Sequence, residues 1–246
     1  MQFLSDEETA VCNLASIGLP TFVRPDKSFD FGKLHDVTMV VVHNLNCIID
    51  CGQQVDVKAE ISNQRHRAIG VGIQGLADTF MSMGFSFESS KAKELNLQIF
   101  QTIYHACLSA SNAWARDKGS YSSFKGSPAS LGELQFDMWN VSPPSYGLDW
   151  ASLRAKIAVD GLANSLMVAL MPTAGTTQIT GFTESIEPLH RYRFNPHYTA
   201  FAIFNIRTAA SSSLDEFCQA NTNSSARGWF LNWSPSAYGP MKCVCG

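Results

Sequence analysis

Two short stretches of this sequence carry residue types that could do chemistry. The first is residues 166–178, LMVALMPTAGTTQ. An apolar run leading into small residues and hydroxyls suits an anion, because backbone N–H groups can turn into the loop and the next helix or turn presents its positive end. Thr173, Thr176 and Thr177 add hydroxyl donors, and Gly175 lets the chain approach a ligand without a Cβ. The same residues also suit an ordinary polar strand-to-helix turn, and neither a Lys nor Walker-type spacing accompanies them. The second stretch is AVCNLAS, which holds Cys12. A redox role would need another cysteine within reach, and a buried structural thiol is the plainer reading.

Other candidates are weaker. Arg65-His66-Arg67 could bind phosphate or a carboxylate, but a solvated basic corner or a structural ion pair accounts for it equally simply. His35, His43 and His105 show no HxxxH or HExxH pattern, so they read as structural or surface residues and no metal is expected. Cys243-Val244-Cys245 at the end of the chain could exchange thiol for disulfide, but so short a ring is strained. The seven cysteines are odd in number and irregular in spacing, which argues against a secreted disulfide framework. Four of them lie in apolar or helical context and read as buried, inert thiols.

These residues need a scaffold, and the composition can supply one. With 45% hydrophobic and 16% charged residues, the 246-residue chain can bury a sizeable core. A net charge of −3 offers no broad attraction to nucleic acid or an anionic membrane, so any phosphate site must be local. The apolar runs are far too short to span a bilayer, and the acidic start does not resemble a signal peptide. The expected location is cytoplasmic.

Along the chain, residues 10–23 predict a short buried strand and a turn. Asp30 can cap a helix running to about Ile49, with Leu34, Val37, Val41, Leu45 and Ile48 as its apolar stripe. The segment QQVDVKAEISNQRHR reads as a polar connection. Ile69, Ile73, Leu76, Phe80 and Met83 then recur at helical spacing and predict a second helix. Its glycines would cost about 1 kcal/mol each relative to Ala unless another backbone packs close. Residues 89–118 give the clearest helix, with Ala92, Leu95, Ile99, Ile103, Cys107, Ser111 and Trp114 on one face and Gly119 as its stop. Residues 119–132 predict a loop and Trp150 to Gly161 another helix. LMVALMP has the profile of a strand buried on both faces, and TAGTTQ that of a loop. Beyond about Leu189 the periodicity fades.

Several of these stretches resemble the large, catalytic subunit of class I ribonucleoside-diphosphate reductases, nearest to the eukaryotic type. The matching segments are AVCNLASIGL, NQRHRAIGVGIQGLADTF, the helix at 100–113, QFDMWNVSP and SLMVALMPTAGTTQITGFTESIEP. The pattern Trp150-x2-Leu153-x7-Gly161-Leu162-Ala163-Asn164-x3-Val168-Ala169-x2-Pro172 fits the family signature at every fixed position. The resemblance runs from about Thr9 to Pro188, so residues 1–188 are expected to form one partial domain and 189–246 a divergent tail.

The resemblance implies an α/β fold, a helix-rich part of the family's ten-stranded α/β barrel, incomplete at both ends. It places the substrate's diphosphate on Pro172, Thr173, Ala174, Gly175 and Thr176, with Gly175 standing where eukaryotic members often have Ser. Cys12 matches a cysteine that reduces the substrate with a partner thiol and becomes a disulfide. The implied reaction is radical-based reduction of ribonucleoside diphosphates to deoxyribonucleoside diphosphates. Implied partners are those substrates, a second large subunit, and a di-iron small subunit that supplies the radical. Thioredoxin or glutaredoxin would be the reductant, with no cofactor bound directly. The family's thiyl cysteine and Asn-x-Cys-x-Glu motif lie upstream of AVCNLAS and its later Tyr-Tyr pair has no counterpart here. The chain alone is therefore expected to be poorly stable and inactive. A non-catalytic nucleotide-phosphate-binding or subunit-pairing module derived from the same fold is the alternative.

Overall fold

The structure, a computed structural model, describes residues 5–52 and 56–188. The cysteines Cys243 and Cys245 and the whole of 189–246 lie outside the described residues. Two parallel strands, β1 (Asn13–Gly18) and β2 (Ile69–Gln74), pair in register from Asn13↔Ile69 to Gly18↔Gln74. The crossover between them carries two helices, α1 (Phe31–Cys51) and α2 (Val57–His66). After β2 come α3 (Leu76–Met83), α4 (Ser90–Lys118), a single turn α5 (Gln135–Met138), α6 (Trp150–Asp160) and α7 (Ala174–Thr180).

A third extended segment, residues 166–171, runs parallel beside β2. Leu166 and Met167 carbonyls accept from the Ile69 and Val71 amides at 3.0 and 2.8 Å, and the Ala169 amide donates to Val71 at 3.2 Å. β2 therefore lies between two extended neighbours, and all six of its residues are buried. Its odd-numbered side chains Ile69, Val71 and Ile73 join Ile17 of β1 in one hydrophobic core. That core also takes Leu34, Val42, Leu45 and Ile49 of α1 and Ile99, Ile103 and Cys107 of α4. The helices thus cover one face of the sheet, and α1 and α4 pack on each other.

Helices α1 and α4 form where the sequence predicts them because their ends are chemically marked. Asp30 accepts from the Lys33 amide at 2.9 Å and Ser89 from the Ala92 amide at 3.2 Å, each satisfying an otherwise orphaned donor. The stripe on α1 is rotated from the expected one: Thr38, Val42 and Ile49 are buried, whereas Ile48 is exposed.

Other expectations are corrected. The glycine-rich stretch from Ile69 is a strand, and only its continuation from Leu76 is helical. Close backbone approach does explain the glycines, as the sequence suggested. A Cβ on Gly70 would lie 2.6 Å from Leu14 Cδ2, and one on Gly72 would lie 2.6 Å from the Ala169 carbonyl oxygen. The polar connection contains α2, whose buried residues are Ala59, Ser62, Asn63 and His66. LMVALMP makes a single bridge, Val71↔Val168, and Val168, Ala169 and Leu170 stay partly exposed, so the segment is not buried on both faces. TAGTTQ winds into α7 instead of remaining a loop. A short 3-10 turn, Pro128–Leu131, interrupts the predicted loop at 119–132.

Candidate functional site

The face of the sheet turned away from the helices carries the sequence's candidates. In-register neighbours of a parallel pair point the same way, so Leu14, Ser16 and Gly18 share this face with Gly70, Gly72 and Gln74. Cys12, two residues before Leu14, joins them: its Sγ lies 3.3 Å from where a Gly70 Cβ would stand. Ala169 and Met171 border the same glycines from the third segment. Gly70 and Gly72 let Cys12, Leu14, Ala169 and Met171 close over β2, and Cys12 and Leu14 are exposed on this face.

Cys12 is not the buried thiol that its apolar neighbours suggest. Among the described cysteines Cys107 alone is buried, while Cys47 is half-buried and Cys51 exposed. Burial pushes the Cys107 thiol far up from its ordinary value, so it stays protonated and inert.

At the carboxyl ends of the strands the chain turns into the loop of Pro172, Thr173, Ala174, Gly175 and Thr176. What aims the third segment there is the family signature itself. The Ser111 hydroxyl of α4 accepts from the amides of Ala163 and Asn164, both at 3.0 Å, and Asn112 donates to the Gly161 carbonyl at 2.9 Å. Gly161 has φ +75°, and a Cβ there would press on Ser120 at 2.8 Å. These contacts fix a turn, and the turn sends residues 166–171 along β2.

Within the loop the hydroxyls are not equivalent. Thr176 donates to the Thr173 carbonyl and Thr177 to the Ala174 carbonyl at 2.7 Å, so neither proton faces a ligand. Thr173 is buried, and its hydroxyl oxygen accepts from the Ser185 amide at 3.1 Å, which leaves its proton to donate. The opening amides of α7, at Ala174 and Gly175, have no carbonyl one turn earlier in the helix. Nothing lies within 4 Å of a Cβ built on Gly175, so the backbone there is open to an approaching group.

A hydrogen-bond chain that sequence reasoning missed locks this end of the face. Thr180 donates to Gln74 Oε1 at 2.9 Å, and Gln74 Nε2 donates to Ser16 Oγ at 3.2 Å, linking α7, β2 and β1. The signal available in the sequence was weak: a lone Gln ending an apolar stretch. Cys12 and the loop share the face but do not touch. Cys12 Sγ reaches over Gly70 beside Ala169, four residues before Thr173, a separation of roughly 13 Å at about 3.3 Å per residue.

The remaining candidates are structural. Glu8 meets Arg65 and His66 at 3.2 Å each, and Arg67 meets Asp50 at 2.7 Å. Burial alone would raise the Glu8 carboxyl, but bonds from Ser5 and the charges of His66 and Arg65 outweigh it and hold the group below its ordinary value. His43 packs edge-on against Trp114. His35 and His105, 70 residues apart in sequence, face each other across α1 and α4.

Comparison with known proteins agrees with this layout. The sequence model of the family "Ribonucleotide reductase, barrel domain" matches residues 1–223. The chain belongs to that family. It is 55% identical over 188 residues to the ribonucleoside-diphosphate reductase large chain of Schizosaccharomyces pombe, covering 76% of this chain and 23% of that protein. The large subunit of Caenorhabditis elegans is 54% identical over the same share of this chain and 24% of its own length. That of variola virus is 52% identical, with the same two shares. The chain thus spans about a quarter of the length of the relatives it matches. What is present is a helix-rich α/β portion of the barrel, with the parallel strands and covering helices of its wall.

Proposed function

We propose that this chain is the portion of a ribonucleoside-diphosphate reductase large subunit that holds the substrate's diphosphate and one of the two reducing thiols. The observation that carries the reading is that Cys12 and the 172–176 loop lie on one face of the sheet, opposite the layer of α1 and α4. The donors toward phosphate are the backbone amides of Ala174 and Gly175 and the Thr173 hydroxyl. Pro172 and Thr176 shape the turn rather than supply protons. Cys12 supplies one reducing thiol. Among the described residues, Cys47 and Cys51 on α1 and Cys107 on α4 belong to the helix layer behind the opposite face, so none of these three is placed to be the second thiol.

The overall reaction replaces a ribonucleotide 2′-OH by hydrogen. Two thiols give up two electrons and two protons, water leaves, and a disulfide forms between the sulfurs. Thioredoxin or glutaredoxin would return the disulfide to thiols, and a di-iron small subunit would supply the initiating radical to a large-subunit dimer. By itself the chain is expected to give no turnover.

Titration calorimetry of CDP and ADP into the full chain tests the loop. Gly175→Leu is the informative variant, because its side chain enters open space and leaves the Thr173–Ser185 contact intact. Binding by the wild type that disappears in Gly175→Leu supports the reading, as does weakening in Thr173→Ala. Equal binding by wild type and Gly175→Leu, or none by a wild type with a folded circular dichroism spectrum, would overturn it.

A further inference from the structure

We propose that Gln74 is a positioning residue for the phosphate loop: its side-chain amide holds α7, and through α7 the 172–176 turn, against the strand that follows Cys12. This role rests on the diphosphate reading of the loop, since Gln74 acts through α7 and not on the nucleotide.

Helix α7 is too short to stand alone. It has seven residues, and isolated helices of fewer than about 12 are marginal in water. Packing gives little back, because Thr177 is its buried residue and Ile179 is 87% exposed. The hydroxyls of Thr176 and Thr177 turn back onto the Thr173 and Ala174 carbonyls. Thr180 reaches the sheet instead, donating to Gln74 Oε1 at 2.9 Å. The Thr176 and Thr177 carbonyls, at 3.1 and 3.3 Å, are its longer alternatives.

Gln74 is placed to receive that proton. Its side chain is 5% exposed at the end of β2, in register with Gly18. Phe182 fills the space beside Gly18, where a Cβ would lie 2.7 Å from Phe182 Cε2. An amide both accepts and donates, so the group that takes the Thr180 proton gives one of its own to Ser16 Oγ at 3.2 Å. Away from water such bonds are stronger than exposed ones. One side chain thus joins the strand that follows Cys12 to the helix behind the loop. At the loop's other end the Thr173 hydroxyl accepts from the Ser185 amide at 3.1 Å. Ala174 and Gly175 are strung between these two anchors, and loss of the Gln74 anchor lets α7 swing on Thr173.

Thr180 is exposed, so Thr180→Val removes the donor without disturbing the core, and Thr180→Ser returns it. Gln74→Leu removes both bonds at similar volume. Two quantities are measured on the full chain: CDP affinity by titration calorimetry, and hydrogen exchange of the 174–181 amides against those of β2. In Thr180→Val and Gln74→Leu the Kd for CDP should rise about tenfold, the equivalent of one hydrogen bond. Exchange at 174–181 should quicken while β2 stays as it was, and Thr180→Ser should behave as wild type. A contact that only stabilises the fold would lower the melting temperature and leave the CDP affinity of the folded chain unchanged, which would overturn the proposal. Unchanged exchange at 174–181 in Thr180→Val would overturn it as well. Should Gln74→Leu not fold, the two Thr180 variants decide. A wild type that binds no CDP defeats the diphosphate reading alone, and the exchange comparison then decides whether Gln74 holds α7.

Discussion

Asn46 and Asn164 exchange a reciprocal pair of side-chain hydrogen bonds at 3.1 and 3.0 Å, with both residues fully buried. Their remaining capacity is also used. Asn46 donates to the Val42 carbonyl at 3.0 Å and accepts from Arg67 at 3.0 Å, while Asn164 donates to the Arg67 carbonyl at 2.9 Å. One amide pair thereby ties α1, the end of α2 and the signature turn that launches the third segment. Replacing either residue by Ala strands the other's polar atoms in the core, at a cost of about 3 kcal/mol. The double variant should fall short of the summed losses by about 1 kcal/mol, because the second substitution removes the stranded group. Urea unfolding of the four chains measures this, and strict additivity would show that the pair is not coupled.

Glycines 70 and 72 differ in what a methyl group would meet. At Gly70 the nearest atom is the tip of the flexible Leu14 side chain, whereas at Gly72 a backbone oxygen, that of Ala169, stands 2.6 Å away. Gly72→Ala is therefore expected to cost about 3 kcal/mol and Gly70→Ala about 1 kcal/mol. Gly72→Ala should also push the third segment off β2 and weaken nucleotide binding at the loop beyond. Equal losses in urea melts would show that the segment can yield.

Those glycines also show why the sequence was legible in some places and opaque in others. Helices α1 and α4 bury one side and expose the other, so their period and caps are written in residue types. The stripe on α1 slipped because Val40, Val41 and Val42 are chemically alike, as are Ile48 and Ile49, and the pattern fits either phase. A strand buried on both faces has no alternation to display, and Ile69, Ile73, Leu76 and Phe80 fall at helical spacing across a strand and a helix. α2 buries Ala, Ser, Asn and His, and α7 buries only Thr177, so neither shows an apolar stripe. The loop and Cys12 stand out by residue type, but only the resemblance to a family gives each a role. That they share a face depends on strand register, which no local pattern of this sequence encodes.

Asp78 makes a pH prediction. Its carboxylate accepts from the Thr183 amide at 2.6 Å, yet burial dominates and raises its pKa above the ordinary value. Between the unfolded and folded pKa values the folded chain holds a proton that the unfolded chain has released. This contribution is therefore complete at low pH and is lost as pH rises through the folded value. Asp78→Asn keeps the acceptor for Thr183 but cannot ionise. Relative to wild type, the variant should gain thermal stability as pH rises from 4 toward neutrality. Taking the difference between the two chains removes the opposite trend from Glu8, Asp50 and Asp137, whose lowered values add stability as pH rises. A difference that stays flat across that range would mean that Asp78 is solvated in the folded chain.

The cysteines report on whether the isolated chain closes its core. Cys12 and Cys51 are exposed and Cys47 is half-buried, whereas Cys107 is sealed between α4 and its neighbours with its thiol held protonated. Alkylation needs an accessible thiolate, so Cys107 reacts only when the α1–α4 core opens. In a chain that is stable alone, iodoacetamide followed by peptide mass spectrometry should find Cys107 slower than Cys51 by on the order of a thousandfold, the usual scarcity of open states. A barrel wall that depends on the rest of the subunit would open far more often, and Cys107 would then approach the rate of Cys51. Adding the missing parts of the large subunit should restore the gap. If Cys107 remained fast in that assembly, the packing of α4 against α1 described above would be wrong.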